Sequence, residues 1–424
     1  MKHKKILIIA ALSIALGIVA PVYSAPDLIV INADVRTSDP KQNRAEAFAV
    51  KDSKFSAIGS STMINQMVGD NTVVIDAQGQ TIVPGFIDSH THLVFAAPRD
   101  EEFVDRINGL TYEEIAKKGG GILNSADKLA KLSEDQLFTE ALARLNELVS
   151  QGTGAIEIKS GYGLSKDAEL KMLRVVKRLK EASPVKIKAT FLGAHAIPPA
   201  YKEKQSEYVD LVIDEILPEV VEQGLAEYID VFCEDGYFTA AETERIMEAG
   251  NRAGLRPKIH VNQFNSIGGI EVCVNNNALS VDHLEVMDPK DYDLLETSNT
   301  IATLLPSCSF FLQIPYGPAK ELMKRNIPIA LASDFNPGST PSGNMQFVIA
   351  LACIQMKMTP EQAINAATVN AAYAMEIEEE YGCITKGMKA NVIITKPIPS
   401  YNFIPYSFAS NHIEESIING KRMK

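Results

Sequence analysis

Residues 154–195 read GAIEIKSGYGLSKDAELKMLRVVKRLKEASPVKIKATFLGAH. An apolar run opens this stretch, a segment with apolar residues at helical spacing follows, and a second apolar run closes it. Continuous apolar strands joined by a helix are typical of a parallel sheet covered on both faces. The alternation continues toward the C-terminus through five further apolar runs, which read YIDVFCEDG, PKIHVNQF, ALSVDHLE, TIATLLPS and IPIALASD.

The number of strand–helix repeats distinguishes between two α/β architectures. So many repeats favour a closed (β/α)8 barrel, known as a TIM barrel, over an open sheet. An open doubly wound sheet is the alternative, but no GxGxxG segment follows a strand in this chain. We therefore predict an α/β protein whose barrel occupies residues 81–381.

The two ends of the chain show a different pattern, in which short apolar runs alternate with turns. AEAFAV and KFSAIG flank a Lys-Asp-Ser turn, which is the signal of a β-hairpin. ANVIITKP and EESIINGKR repeat this style near the C-terminus. We therefore predict one small β-sandwich domain, assembled from residues 25–80 and 382–424.

Composition limits the class of protein. Of the 424 residues, 46% are hydrophobic and 22% are charged, which is ordinary for a globular chain with a large core. The formal net charge is −12, and the only basic stretch lies within the first five residues. A nucleic acid or an anionic membrane surface is therefore not an expected partner. The composition indicates a soluble enzyme or binding protein.

Residues 1–24 have the pattern of a secretory signal peptide. MKHKK is a basic start, ILIIAALSIALGIVA is an uninterrupted apolar run of 15 residues, and PVYSA supplies small residues for cleavage. The run is shorter than the roughly 20 residues that span a bilayer. We therefore expect export to the periplasm, with no stable membrane partner after cleavage. The alternatives are an uncleaved anchor and a cytoplasmic protein whose start codon lies further downstream.

Histidine placement indicates where chemistry takes place. Seven histidines occur in the chain, and five of them stand at or near the C-terminal end of a predicted strand. The acid that ends IPIALASD has the same placement. Functional sites of α/β barrels are built at that end of the strands. The predicted site contains His90, His92, His195, His260, His283 and Asp334.

His90 and His92 follow the run TIVPGFID, interpreted as one strand, and residues two apart on a strand face the same side. Both imidazoles can therefore reach one ion. With His260 and Asp334 they make a set of three nitrogens and one carboxylate, which suits one divalent ion, zinc or iron. The alternative is a group of buried, hydrogen-bonded polar residues at the rim of the barrel.

Longer motifs link the chain to a known family. In order, they read PGFIDSHTHLVFAAPRDEEF, KKGGGI, EIKSGYGL, ELKMLR, TFLGAHAIPP, YVDLVIDEILP, DVFCEDGYF, SVDHLE and SDFNPGS. With these motifs the chain resembles the amidohydrolase superfamily and, within it, the imidazolonepropionase family. The resemblance covers residues 80 to 375 and implies a (β/α)8 barrel with a small β-sandwich, in agreement with the patterns above.

The resemblance implies a metal centre with one ion. A second ion in this superfamily is usually bridged by a carboxylated lysine or a glutamate at the end of the fourth barrel strand. That strand here ends in His195, which favours a single ion, although Lys159 leaves a carboxylated lysine open. The implied ligands are His90, His92, His260 and Asp334.

The resemblance also implies a small-molecule substrate, imidazolonepropionate, whose cyclic amide is hydrolysed to N-formimidoyl-L-glutamate. The metal would lower the pKa of a water toward neutrality for attack on the ring carbonyl. Asp334 would take the proton from this water and pass it to the leaving ring nitrogen. His283 would stabilise the developing oxyanion or help to move the proton.

Further residues are implied to bind the substrate. A propionate carboxylate requires a planar cation, and Arg99 matches the family's arginine. Tyr162 and His195 match contacts to the ring or the tail, and Gln263 can donate to and accept from the ring. A surface ion pair of Arg99 and loop packing by Tyr162 are the alternatives. The SDFNPGS loop would supply amide and hydroxyl donors from Asn336, Gly338 and Ser339.

The chain departs from the family pattern in two ways. After His260 it carries Asn262 and Gln263, where relatives commonly carry Asp and then Glu or Gln. A carboxylate base is therefore absent there, and more of the proton transfer depends on Asp334 and His283. The leader is the second departure, because relatives are usually cytoplasmic.

Two other functions remain as alternatives. One is another cyclic amidase or deaminase that uses the same metal site, and the family motifs around Tyr162 and Asn336 speak against it. The other is a periplasmic binding protein without turnover, and the intact ligand set with Asp334 speaks against it. The resemblance leaves a homodimer open as the assembly.

Overall fold

The computed structural model describes residues 25–110, 114–115, 118–408 and 410–423. The predicted leader, residues 1–24, lies outside these ranges. Within them, no helix combines the length and apolar character needed to cross a bilayer. The strands are β1 (Leu28–Ile31), β2 (Asp34–Arg36), β3 (Arg44–Ala45), β4 (Ala47–Lys51), β5 (Lys54–Gly59), β6 (Val73–Asp76), β7 (Thr81–Pro84), β8 (Phe86–Asp88), β9 (Thr153–Lys159), β10 (Lys186–Ala194), β11 (Tyr228–Cys233), β12 (Arg256–Pro257), β13 (Ile259–Val261), β14 (Ser280–His283), β15 (Ile301–Leu304), β16 (Ile329–Leu331), β17 (Val392–Thr395), β18 (Ile413–Ile418) and β19 (Lys421–Met423).

Helices alternate with strands through the central part of the chain. A 3-10 turn at Pro199–Tyr201 and a π-helical segment at Leu211–Ile216 accompany the α-helices. The α-helices are Ser61–Asn65, Asp100–Ile107, Ile122–Lys131, Glu134–Ser150, Lys166–Ala182, Gln205–Asp210, Leu217–Glu222, Ala240–Arg252, Gly269–Asn275, Pro289–Glu296, Pro306–Leu312, Ala319–Lys324, Met345–Ile354, Pro360–Ala366, Val369–Tyr373 and Phe403–Tyr406.

Eight parallel strands form the barrel, in the order β8, β9, β10, β11, β13, β14, β15 and β16, and the short β12 pairs with β11 beside this path. The first and last strands meet just past their ends. There the amide of Asp334 donates to the carbonyl of His90 at 3.0 Å, and the amide of His92 donates to that of Phe335 at 2.9 Å. The prediction of a (β/α)8 barrel is confirmed.

The unit built from β9, the helix Lys166–Ala182 and β10 shows why these segments fold as they do. Leu170, Leu173 and Val176 are buried at helical spacing, so that one stripe of the helix packs inward. Strand β9 is buried along its whole length, because helices cover its outer side and the barrel interior covers its inner side.

Both chain ends contribute to two further sheets. One has the order β5-β4-β1-β6, and the other has the order β19-β18-β17-β7-β2-β3. Strands β4 and β5 pair antiparallel, so the predicted hairpin is confirmed. Val30 and Phe48 from the first sheet share a buried cluster with Val35, Ile82 and Val392 from the second. This packing of two sheets is consistent with the predicted terminal sandwich.

The segment that precedes His90 and His92 forms two strands instead of the one expected. The run TIVPGFID was expected to be one strand, but the structure divides it at Gly85 into β7 and β8. Strand β7 pairs with β2 and β17 in the terminal sheet, whereas β8 pairs with β9 in the barrel. The expectation of one strand is wrong because apolar character does not specify which sheet a strand joins.

Candidate active site

The metal-site and proton-transfer residues predicted from the sequence lie together at the carboxyl ends of the barrel strands. His90 and His92 follow β8, His260 lies in β13, His283 ends β14 and Asp334 follows β16. All five residues are at most 3% exposed. His283 and Asp334 have φ angles of 90° and 56°, and such left-handed conformations at residues other than glycine cluster at functional sites.

His90, His92 and Asp334 present ligand atoms within 4.8 Å of one another, and His260 adjoins this group through His92. We name His90, His92, His260 and Asp334 the ligand layer. The Nε2 atoms of His92 and His260 are 3.2 Å apart. Oδ1 of Asp334 lies 3.5 Å from Nε2 of His90 and 3.7 Å from Nε2 of His92. A tetrahedral site with metal–nitrogen bonds of about 2.0–2.1 Å holds its ligand atoms about 3.3 Å apart. The observed spacings are close to that value.

Carboxylates behind the ligand layer fix which ring nitrogens face its centre. Nδ1 of His90 lies 2.6 Å from Oδ2 of Asp282, and Nδ1 of His260 lies 3.1 Å from Oδ1 of Asp230. Because a carboxylate accepts the hydrogen bond, Nδ1 carries the proton in each ring. Nε2 therefore keeps its lone pair, as a metal ligand requires.

The lone pairs in this layer fit a divalent metal. Burial lowers the pKa of all three histidines well below the ordinary value, which favours neutral rings. Within the described ranges, Nε2 of His90 is buried without a hydrogen-bond partner. Nδ1 of His92 lies 3.5 Å from the carbonyl of Ser160, an acceptor that favours the proton on Nδ1 and the lone pair on Nε2. The Nε2 lone pairs of His92 and His260 then face each other at 3.2 Å and repel unless a cation lies between them. Three imidazoles and one carboxylate are suitable ligands for zinc or iron.

Behind these ligands, buried charges fill the barrel interior, and we name Glu157, Lys159, Asp230, Lys258 and Asp282 the ionic layer. Nζ of Lys159 donates to Oε1 of Glu157 at 2.7 Å and to Oδ2 of Asp230 at 2.8 Å. Burial alone would lower the pKa of Lys159, but the surrounding carboxylates outweigh it and raise this pKa. A carboxylated lysine forms from a neutral amine, so these contacts favour an ammonium at Lys159 over a metal bridge.

Asp334 and His283 are the predicted proton carriers. Burial raises the pKa of Asp334 to about 6, so that the carboxyl can hold a proton near neutral pH. Burial alone would lower the pKa of His283, but Glu285, with Oε1 3.3 Å from Nδ1, and Asp334 outweigh it and raise this pKa. The shift favours the charged imidazolium, which can stabilise developing negative charge.

His195 and Tyr162 form one wall beside the ligand layer. The rings of His195 and His92 stack with centroids 5.0 Å apart and planes inclined by 7°. Burial lowers the pKa of His195 to about 4, so its ring is neutral near pH 7. The Tyr162 ring meets the His92 and His195 rings edge-on at 5.7 Å and 5.4 Å. Uncharged aromatic walls suit a flat heterocyclic ligand.

A buried acid positions the loop that carries Tyr162. The carboxylate of Glu169 accepts from the amides of Gly161, Gly163 and Leu164 at 3.0, 2.7 and 3.0 Å. Glu169 itself is fully buried. Tyr162 is 4% exposed and reaches the site because this one side chain fixes the backbone on both sides of it.

Asn336 organises the loop that follows Asp334. Its Oδ1 accepts from the amides of Gly338 and Ser339 at 2.8 Å, and its Nδ2 donates to the carbonyl of Asp334 at 2.7 Å. Oγ of Ser339 donates to Oδ2 of Asp334 at 3.1 Å. The hydroxyl of Tyr162 also donates to Oδ1 of Asn336, at 3.4 Å. The loop therefore connects the ligand layer to the aromatic wall.

Arg99 contacts this loop from the other side. Its side chain is 8% exposed, so it is not the surface ion pair considered as an alternative. Oε2 of Glu102 accepts from Nε and Nη2 of Arg99 at 2.8 Å and 2.7 Å. A Cβ on Gly338 would stand only 2.2 Å from Nη1. The absence of a side chain at Gly338 therefore makes room for the guanidinium beside the loop.

The two residues that depart from the family pattern have different surroundings. Nε2 of Gln263 donates to Sγ of Cys308 at 3.4 Å, and this buried thiol lies against Asp334. Nδ2 of Asn262 donates to Oδ2 of Asp291 at 3.0 Å. Gln263 therefore borders the ligand layer, whereas Asn262 is bound to a helix outside it.

The acids that orient these residues were not among those predicted from the sequence. Asp282 and Glu285 flank the histidine of the SVDHLE motif, and Asp230 interrupts the apolar run YIDVF. A buried carboxylate requires a hydrogen-bonding or charged partner, so an acid inside an apolar strand is a usable signal. The missed positioning residues are Glu102, Glu169, Asp230, Asp282 and Glu285.

Comparison with known proteins identifies the family of the chain. Residues 81–423 match the amidohydrolase family. The chain is 59% identical to the imidazolonepropionase of Flavobacterium johnsoniae over 372 residues, which cover 88% of this chain and 90% of the relative. It is 42% identical to the imidazolonepropionase of Alkaliphilus metalliredigens over 375 residues, which cover 88% of this chain and 89% of that relative.

Solved structures share the architecture at much lower identity. A 5-methylcytosine deaminase from Klebsiella pneumoniae superposes with a TM-score of 0.73 at 18% identity, over 93% of this chain and 97% of that one. An adenosine deaminase from Xanthomonas campestris with bound zinc gives 0.72 at 14%, over 94% and 93%. These two likenesses support the fold alone. The family match over residues 81–423 and the identity to close relatives show that the chain belongs to the amidohydrolase family, within the imidazolonepropionases.

Proposed function

We propose that the chain is an imidazolonepropionase of histidine degradation, which hydrolyses the cyclic amide C–N bond of 4-imidazolone-5-propanoate to N-formimidoyl-L-glutamate. The observation that carries this proposal is that the loop after Asp334 connects a candidate metal site to a buried cation. The ligand layer with Asp334 lies at one end, and the buried cation of Arg99 lies against Gly338 at the other. A ring with a carboxylate tail matches both features.

In this reaction, different residues bind the substrate, transfer the proton and stabilise the developing charge. Arg99 holds the propionate, and Tyr162 and His195 contact the ring. A water adds to the ring carbonyl, the amide C–N bond breaks, and Asp334 carries the proton from the water to the leaving nitrogen. His283 stabilises the negative charge that develops on the carbonyl oxygen.

The metal in this proposal is one zinc or iron ion held by the ligand layer. When bound, a divalent ion lowers the pKa of a water and polarises a carbonyl oxygen. The purified protein should hold close to one equivalent, and chelation should abolish turnover. Two equivalents, with activity that follows the second, would contradict the single-ion proposal.

The decisive experiment is incubation of the purified, metal-loaded protein with imidazolonepropionate. We expect formation of N-formimidoyl-L-glutamate, detected by mass spectrometry, and formation slower by about 10²–10⁴-fold with the Asp334→Asn variant. A panel of other cyclic amides and of amino-substituted heterocycles tests the alternative of another cyclic amidase or a deaminase. Turnover only within this panel, or ligand binding without turnover, would overturn the proposal.

We also propose that the protein is exported and that its mature form begins near Ala25. The basic start and the apolar run of residues 1–24 support this proposal. Fractionation of the native host should find a shortened, active protein in the periplasm, and removal of residues 1–24 should leave the kinetics unchanged. A full-length protein with intact Met1 in the cytosol would contradict export.

A further inference from the structure

Lys159 stands between two carboxylates that hold two different ligand-layer histidines. Its Nζ donates to Oδ2 of Asp230 at 2.8 Å and lies 3.5 Å from Oδ2 of Asp282. Asp230 accepts from Nδ1 of His260, and Asp282 accepts from Nδ1 of His90. All three charged side chains are fully buried, so water does not screen their interactions.

Asp282 and Asp230 each contact both Lys159 and a histidine ring, which couples the ammonium to the two rings. The same Oδ2 of Asp282 faces both the His90 ring, at 2.6 Å, and the ammonium of Lys159. In Asp230, Oδ1 accepts from the ring and from the backbone amide of His260, both at 3.1 Å, and Oδ2, which accepts from Lys159 at 2.8 Å, also lies 3.1 Å from Nδ1 of that ring. A movement of the ammonium therefore changes the acceptors of both rings.

Two neighbouring carboxylates in a dry interior repel each other strongly unless a cation lies between them. Without the ammonium, Asp230 and Asp282 would separate, and the rings of His260 and His90 would lose the acceptors that aim Nε2 inward. We propose that Lys159 is a positioning residue that sets the orientation of His90 and His260 together and thereby the metal affinity of the site. This inference rests on the metal centre of the proposed function and deepens it.

The neighbouring Lys258 supplies a matched control. It is also fully buried and shares Glu157 with Lys159. Its other hydrogen bonds go to the carbonyls of Ser89 at 3.3 Å and Ala374 at 3.0 Å. Removal of either ammonium deletes one buried cation that donates to Glu157, but of the two lysines only Lys159 also donates to a carboxylate that holds a ligand-layer histidine, Asp230.

The test compares Lys159→Met and Lys258→Met with the unaltered protein. Zinc affinity is measured by competition with a chromophoric chelator in the absence of substrate. The visible spectrum of the cobalt-loaded protein reports ligand geometry, and melting temperatures with and without zinc report folding separately. We expect Lys159→Met to lower zinc affinity by about 10- to 100-fold, the usual range for groups that orient ligands, and to change the cobalt spectrum. Lys258→Met should stay within about threefold of the unaltered affinity.

Equal losses of affinity in both variants, or an unaltered affinity and cobalt spectrum in Lys159→Met, would overturn the proposal. If Lys159→Met does not fold, Lys159→Gln replaces it, because an amide can still donate to one carboxylate. We expect an intermediate affinity from Lys159→Gln, and an unaltered affinity would again overturn the proposal. Since no readout uses imidazolonepropionate, failure here is distinguishable from failure of the proposed reaction.

Discussion

The ligand layer and the ionic layer lie side by side in one barrel, yet their polar atoms are paired to different degrees. In the ionic layer, Lys159 and Lys258 lie within 3.5 Å of carboxylates, and both lysines contact the same Glu157 side chain. In the ligand layer, Nε2 of His90 has no partner among the described residues, and the Nε2 atoms of His92 and His260 face each other.

This difference shows how the barrel divides structure from chemistry. The ionic layer is complete with protein groups alone, so it can hold its shape whether or not a ligand is bound. The ligand layer keeps a buried ring nitrogen without a hydrogen-bond partner among the described residues, which fits the metal-binding function that we propose for it. The geometry of a site is best defined when fixed neighbouring groups hold its reactive side chains in place. The ionic layer provides such neighbours for His90 and His260.

The first substitution that tests this difference lies in the ligand layer. Asp334→Asn removes the carboxylate that we propose as metal ligand and proton carrier, so kcat should fall by about 10²–10⁴-fold, while the melting temperature of the metal-free protein changes little. Steady-state kinetics and thermal melting measure the two effects, with the exposed Asp214→Asn as control. A kcat within threefold of the original would show that Asp334 carries no proton.

The second change is within the ionic layer. Glu157→Gln removes the carboxylate that Lys159 and Lys258 share, which leaves buried ammonium groups underpaired and should lower the free energy of unfolding by about 3–5 kcal/mol. Urea denaturation of the metal-free protein measures the loss. The control is Glu248→Gln, which breaks an exposed pair with Arg252 and should have almost no effect. An unchanged urea midpoint for Glu157→Gln would show that the layer adds no stability.

A third change tests the substrate end, which lies outside both layers. Arg99→Lys replaces a planar fork by a point charge, so KM for imidazolonepropionate should rise about 10- to 100-fold with a smaller effect on kcat. Initial-rate kinetics separates the two constants. Arg178→Lys, on a surface helix, is the control and should leave KM unchanged. An unaltered KM in Arg99→Lys would assign that arginine to loop packing.

The fourth change concerns Asp334, which is oriented by the loop that follows it rather than by the ionic layer. Ser339→Ala removes the hydroxyl that donates to Oδ2 of Asp334 at 3.1 Å. One neutral hydrogen bond contributes about 0.5–1.5 kcal/mol, so kcat should fall about three- to tenfold. The control is Ser342→Ala, on the same loop, and a larger loss there than in Ser339→Ala would contradict this assignment.

Much of the fold, and the placement of the candidate site residues at one rim of the barrel, could be predicted from the sequence. Apolar runs such as IPIALASD identify barrel strands, since a strand buried on both faces has apolar residues on both. The histidines that follow these runs come together, because parallel barrel strands end at one rim. Arg99 and the SDFNPGS loop were found through family motifs rather than by periodicity, which carries no signal for them.

The supporting groups could not be predicted in the same way. Glu102, Glu169 and Glu285 act through hydrogen bonds to a guanidinium, to three backbone amides and to an imidazole. Acids at those positions would fit equally well on a solvated helix or loop. Their function depends on burial, and burial is a property of the packed chain.

The barrel, the terminal hairpin and the gathering of the histidines and Asp334 at one rim were predictable from the sequence, because local apolar patterning and strand-end placement specify them. The tertiary structure alone decided that TIVPGFID divides between two sheets, and that Asp282 meets His90 across 192 residues of chain. Pairing at that distance follows from strand register and barrel closure. Register comes from the packing of all the strands together, so no single stretch of sequence contains it.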